Sequence, residues 1–184
     1  FDLRRDGGSV QVDISAHALT KYPSGGGDVL MGSIITRDNA LHMRLKLAHM
    51  RLGLGVGMND VELVLRSLPS TALRYHAQDK TARQLAAALQ RQNAVKQLLH
   101  PAFASSPGHA HWQQLCATPE NPAGVAAGIF SVVFDAPQSQ VDDFCNRLQL
   151  FKLGYSWGGH ISLVMPYALD EMRDLGRGAV LPGC

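Results

Sequence analysis

Cysteine is scarce. The three present, Cys116, Cys145 and Cys184, are odd in number, far apart and in no CxxC pair, which excludes a disulfide framework and gives a zinc site no starting point. Reduced thiols in a reducing compartment are the expectation, with no metal. No apolar run reaches the roughly 18 residues of a membrane helix, and no signal-peptide pattern opens the chain. A cytoplasmic protein is therefore expected, with no membrane partner. An excess of charge is missing too, since 17 Lys+Arg against 15 Asp+Glu leave only +2. That is too little for a nucleic-acid footprint. The most basic stretch, Arg37 to Arg51, carries His42, Arg44, Lys46 and His49. Leu41, Leu45, Ala48 and Leu52 fall there at helical spacing, which predicts an amphipathic helix with a solvated face or a subunit contact. Internal repeats and low-complexity segments are absent.

What is present suits a folded core: 46% of the 184 residues are apolar and 17% charged, enough for one large domain or parts of two. The chain opens on Phe1 with a lead-in at Arg4 to Gly8. It closes on Gly176 to Cys184 (GRGAVLPGC), which fits neither a capped helix nor a strand. Both ends read as those of a piece of something larger.

Alternation over Gln11 to Ala18 predicts a strand, and the apolar run Asp28 to Thr36 predicts a buried one. Pro23 to Gly27 between them is a turn by composition. Gly53 to Gly57 (GLGVG) reads as a flexible loop, and Asn59 and Asp60 as N-caps of a helix through Val61, Leu63, Val64 and Leu65. Pro69 breaks that helix, making Leu68-Pro69-Ser70 the candidate domain boundary. A long helix follows to about Gln92, with Leu73, Ala77, Ala82, Leu85 and Leu89 as its apolar stripe. Further on, the pattern predicts strands at Ala94–His100, Gly128–Phe134 and Ile161–Met165. It predicts helices at Gly108–Ala117 and Gln140–Leu150. Ala117 to Gly124 is a Pro-containing loop. The second half is thus a small α+β layer structure. His109 and His111, two apart on a helix, face different ways and read as surface residues, not metal ligands. Asp142 and Asp143 read as early-helix charges favoured by the dipole.

HALTKYPSGGGDVLMG, His17 to Gly32, places Lys21 at a strand end beside a glycine-rich turn. A lysine so placed is most often a solvated charge, but such a turn can also gather backbone N–H groups around an anion. The spacing is not that of a P-loop, nor of a GxGxxG fingerprint followed by a helix.

Thr20, Lys21, Tyr22, Gly26, Asp28, Met31 and Gly32 resemble the cofactor-lysine motif of the Cys/Met-metabolism family of pyridoxal-phosphate enzymes. The segment LFKLGYSWGGHISL, Leu150 to Leu163, resembles the cystathionine β-lyase branch of that family. LRSLPS, HPAF, SPGHAHW and GIFSVVF agree with it in order and spacing, so the resemblance runs from about Val12 to Arg173. It implies an α/β fold: the end of a large, fold type I aminotransferase-like cofactor domain (1–68), then a smaller α+β C-terminal domain (69–184), truncated at both ends. It implies pyridoxal 5'-phosphate held by Lys21 as a Schiff base, with Thr20 on the phosphate. Tyr155, Ser156 and Trp157 would line the site for a small sulfur amino acid. The reaction implied is β-elimination of L-cystathionine to homocysteine, pyruvate and ammonia, by a homotetramer built as a dimer of dimers. A γ-lyase or γ-synthase, or an inactive truncated product, are the alternatives. Lysine suits the task because its amine forms an imine and, once displaced, can move a proton. Desolvation or nearby positive charge makes such an amine available near neutrality.

The chain departs from the pattern at Ala18, where a phosphate-binding serine is usual, and at GGGD, which replaces G-H-S-D. The family's pyridine-nitrogen aspartate, its ring-stacking aromatic and a phosphate-holding turn would precede Phe1. The substrate-carboxylate arginine of an L-x-R-x-x-x-G strand is matched by neither Arg173 nor Arg177. A partial layer with open edges predicts poor solubility.

Overall fold

The computed structural model describes residues 12–172. Gln11, the lead-in at Arg4 to Gly8, Arg173, Arg177 and the Gly176 to Cys184 tail lie outside the described residues. Two short strands open the fold. β1 (Ser15–Ala18) pairs antiparallel with β2 (Gly32–Ile35), Ala18 opposite Gly32 and Ser15 opposite Ile35. Of the buried strand predicted over Asp28 to Thr36, only Gly32–Ile35 is a strand, and it is not buried. Its apolar residues Ile34 and Ile35 are 61% and 55% exposed, because no described element packs extensively on this two-stranded sheet. Val29, ahead of the strand, is the buried part of that run.

The basic helix forms as α1 (Asn39–Arg51), started by Asp38, whose carboxylate accepts from the Leu41 N–H at 2.6 Å. Its end is a Schellman motif. Gly53, at φ +64, donates to the Met50 carbonyl, and Leu54 donates to that of His49, which satisfies carbonyls the helix leaves free. No residue of α1 is buried. α2 (Met58–Ser67) starts earlier than predicted: Gly57 is its N-cap, and Asn59 and Asp60 lie inside its first turn. Asp60 there faces the positive end of the helix dipole.

Pro69 acts as expected. It has no N–H to continue the ladder, and Leu68–Ser70 becomes a single 3-10 turn between α2 and α3 (Thr71–Leu89). The predicted stripe of α3 holds in its second half, where Ala82 is buried and Leu85 and Leu89 are half-buried, and fails in its first. Asp79, Ala82 and Ala86 are buried, while Leu73 is 75% exposed and Ala77 is exposed. Two small alanines allow close approach on that face, where α3 meets β3.

β3 (Val95–Leu99) and β4 (Ser131–Phe134) pair antiparallel, Leu98 opposite Val132, with a register shift between Val95 and Gln97. Between them lies α4 (His109–Cys116), led by Gly108 at φ +77. His109 is not a free surface residue: its Nδ1 lies 2.7 Å from the Pro101 carbonyl and its ring is tilted on Trp112. His111 is exposed, as expected. α5 (Gln138–Arg147) starts two residues before the predicted position and stops at Arg147. Asp142 and Asp143 therefore fall in its second turn, and Asp142 accepts from Gln138 at 2.7 Å. β5 (Lys152–Leu153) pairs in parallel with β6 (Leu163–Val164), bracketing the YSWGG segment, and α6 (Leu169–Met172) closes the described chain. The pattern did not foresee β5, which is only two residues long. Among the described residues no helix is long and apolar enough to cross a membrane, and no cluster of His, Cys, Asp and Glu could hold a metal. The result is a mixed α/β fold.

Candidate active site

Beyond β1 the chain coils back on itself. The N–H of Lys21 donates to the Ala18 carbonyl, that of Ser24 to Leu19 and that of Gly25 to Lys21, at 3.2, 2.9 and 2.9 Å. This helical turn ends at Gly25, which takes φ +67, a conformation that costs glycine nothing. The coil lifts the Lys21 side chain off the strand end. The Thr20 hydroxyl ties the base of the turn to the strand opposite: it accepts from the Met31 N–H at 3.1 Å and donates to the Met31 carbonyl at 3.3 Å.

The second half of the site arrives from the loop between β5 and β6. Gly158 lies against the lysine turn. It has φ +77, and a Cβ built there would be 2.8 Å from the Tyr22 nitrogen and 3.2 Å from the Lys21 carbonyl carbon. Only glycine permits this approach. It brings Ser156 Oγ to 2.9 Å of Lys21 Nζ, which donates to it, and places that nitrogen 4.3 Å from the Trp157 ring centroid. A hydroxyl acceptor and an aromatic face are both partners an ammonium uses. No carboxylate neighbours the amine among the described contacts, so it is not committed to an ion pair.

Of the five residues singled out in the sequence, Lys21, Ser156 and Trp157 come together. The Thr20 hydroxyl is occupied with Met31. Tyr155 pairs edge-on with Tyr167 at 6.3 Å and stays 69% exposed. Tyr22 carries more than motif matching assigned it. Its hydroxyl accepts from the Gly128 N–H at 3.0 Å and its ring meets Tyr75 edge-on at 5.0 Å. Burial raises the Tyr22 phenol above its ordinary value, with the Gly128 N–H pulling the other way and Asp79 adding to the rise. Tyr75 is raised as well, first by burial and then by Tyr22. Both phenols stay neutral at ordinary pH.

Two residues of α3 that sequence reading passed over, Arg74 and Gln78, reach this site from one helix. A polar pair four apart on a helix was the visible signal, but a polar pair is read by default as a solvated face. Beside the turn an open cavity of about 430 Å³ is bounded by Ser24, Asp28, Leu63, Arg66 and His160, among others.

A model of the Cys/Met metabolism PLP-dependent enzyme family matches residues 8–177. A cystathionine beta-lyase from Bordetella avium is 36% identical over 159 residues, covering 86% of this chain and 38% of that protein. A crystal structure of cystathionine gamma synthase from Xanthomonas oryzae pv. oryzae in complex with cystathionine superposes with a TM-score of 0.72 at 31% identity, over 82% of this chain and 37% of that one. That of an apo methionine gamma lyase from Micromonospora echinospora gives 0.73 at 30% identity, over 82% and 39%. The chain spans about two fifths of the length of the relatives it matches.

Proposed function

Since the chain belongs to the Cys/Met metabolism PLP-dependent enzyme family, we propose that it carries the lysine-bearing part of a carbon–sulfur lyase that cleaves L-cystathionine by β-elimination to homocysteine, pyruvate and ammonia. The observation that carries this is the 2.9 Å contact between Lys21 Nζ and Ser156 Oγ, residues 135 apart in the chain. Two motifs that are far apart in the chain meet at this contact, which supports the reading. The cystathionine beta-lyase from Bordetella avium adds support at 36% identity.

Pyridoxal phosphate, when bound, supplies an electron sink that lets a proton leave the substrate's α-carbon. The residues here fit it. Lys21 presents an amine with no carboxylate on it, the partner an aldehyde needs. Thr20 can turn its one hydroxyl proton from the 3.3 Å bond to the Met31 carbonyl toward a phosphate oxygen. Lys21 would hold the cofactor and, released by the incoming amino acid, moves the proton at Cα. Ser156 steers the amine and Trp157 covers one side of it, while Tyr155 gives the pocket a polar aromatic wall. On this reading residues 1–68 end the cofactor domain and 69–184 belong to the smaller one. The whole protein would work in the cytoplasm as a dimer of dimers.

A γ-elimination or γ-synthase activity is the second reading, favoured by the structural likeness to a gamma synthase and a gamma lyase. One set of measurements tests both. The chain is incubated with pyridoxal phosphate, reduced with borohydride and mapped by mass spectrometry. The expected label is on Lys21 and is lost in Lys21→Ala. A folded chain that takes no label there defeats the assignment. Cystathionine turnover then separates the reactions: β-elimination yields pyruvate, whereas γ-elimination yields 2-oxobutyrate and cysteine.

A further inference from the structure

The lysine turn and the YSWGG segment are brought together by α3. Arg74 and Gln78 are four residues apart on it, one helical pitch along the same face. Each reaches a different half of the site.

Arg74 reaches the lysine half. Its guanidinium donates to the carbonyls of Tyr22 at 2.7 Å and Pro23 at 3.2 Å, immediately after Lys21. It also donates to the Ser67 carbonyl at 3.1 Å and to the hydroxyls of Ser70 and Thr71 at 3.1 and 3.3 Å. All five acceptors are neutral oxygens, so the fork acts through geometry and not as half of an ion pair. Two of them are end carbonyls of the helical turn that carries Lys21, groups that a helix leaves without partners. The fit is tight, since a Cβ at Gly25 would fall 2.1 Å from Nη1.

Gln78 reaches the other half. Its amide Nε2 donates to the Gly159 carbonyl at 3.1 Å, two residues beyond Trp157. Tyr75, between the two on α3, packs on Tyr22.

We infer that Arg74 and Gln78 are positioning residues: α3 uses them as two clamps a fixed distance apart, Arg74 setting Lys21 and Gln78 setting Ser156 and Trp157. The consequence for catalysis rests on the function proposed above, where a displacement of about 1 Å can cost on the order of 10²-fold in rate. The placement itself does not depend on that function.

The test therefore uses no cofactor. In a Trp112→Phe background Trp157 is the sole tryptophan. Its emission is recorded, and reductive methylation of Lys21 is followed by mass spectrometry, with Lys46, Lys80, Lys96 and Lys152 as internal references. Arg74→Gln is expected to raise Lys21 labelling several-fold relative to those four. Arg74→Lys, which keeps the charge without the fork, is expected not to restore it. Gln78→Glu, which cannot donate to a carbonyl, is expected to shift the Trp157 emission. If Arg74→Gln does not fold, Ser70→Ala/Thr71→Val loosens the guanidinium without touching the lysine turn and is expected to change Lys21 labelling in the same direction. Unchanged labelling and emission in folded variants, whatever their melting temperatures, overturn the inference. Failure of Lys21 to take pyridoxal phosphate would defeat the function proposed above and leave these results standing.

Discussion

His100 has no exposed surface, yet among the described residues only one of its ring nitrogens has a polar partner. Nδ1 accepts from the Ala102 N–H at 3.2 Å, while Nε2 is buried with none. An accepting Nδ1 puts the proton on Nε2, and the rings of Phe103 and Phe130 stand 5.1 and 5.9 Å away. Burial, helped by the Arg83 charge and opposed by Asp79, pushes the imidazole below the ordinary histidine value. The folded chain then refuses a proton that the unfolded chain accepts. Stability from this residue is constant above pH ~6.5 and falls as pH drops from there toward the lower folded value. His100→Phe should flatten that decline, measured as urea midpoints between about pH 8 and pH 5. Parallel curves for the two proteins would remove His100 as the cause. The Lys21 motif is recognisable from neighbouring residues, but the burial of His100 is not. His100 reads as the end of the strand predicted over Ala94–His100, and nothing local says the ring is sealed between two phenylalanines.

At the scale of elements, α3 is tied to the loop that follows α4. Asp79 is buried and accepts from the Ala126 N–H at 2.6 Å and from Arg83 Nε at 2.9 Å. Arg83 in turn donates to the carbonyls of Ala123 and Gly124. Removing one partner from such a network strands the others. Asp79→Leu should cost about 3–5 kcal/mol, and Asp79→Asn, which still accepts from Ala126, clearly less, both read from denaturant unfolding. Similar losses for the two would mean that the charge facing Arg83, lost in both, carries the stability and the bond to the Ala126 N–H does not. α1 depends on its own ends because it buries nothing. Asp38→Ala should lower helix stability by about 1 kcal/mol, seen as lost ellipticity at 222 nm. Its apolar spacing foretold a helix correctly, as Pro69 foretold the break after α2. The packed face of α3 was legible in part: periodicity placed Ala82 on it but missed Ala86 and the buried Asp79, and Leu73 and Ala77 are exposed. Periodicity counts apolar residues, and a buried aspartate is not among them.

For the whole molecule the balance of covered and uncovered surface is unusual. The buried apolar set among the described residues is small: Val29, Val64, Ala82, Ala86, Leu98 and Cys145. Leu30, Met58 and Leu150 are each more than 80% exposed. Each described sheet has two strands, a size that is marginal alone. Large exposed apolar area drives association, so the chain should self-associate with concentration, followed by light scattering. A monodisperse monomer across a wide concentration range would contradict this.

Local order along the chain determined the helices and the turn at Pro23 to Gly27. Capping residues, proline and glycine act over a few positions and leave their mark there, whereas Lys21 was singled out by the resemblance of its neighbours to a family motif. Tertiary structure decided what Lys21 touches. Ser156 lies 135 residues away and is delivered by the close approach of Gly158, with Arg74 and Gln78 holding the two halves. Hydrogen bonds across such separations depend on where whole elements come to rest. No local pattern encodes that, which is why the motifs around Lys21 and Ser156 were legible in the sequence and the scaffold that joins them was not.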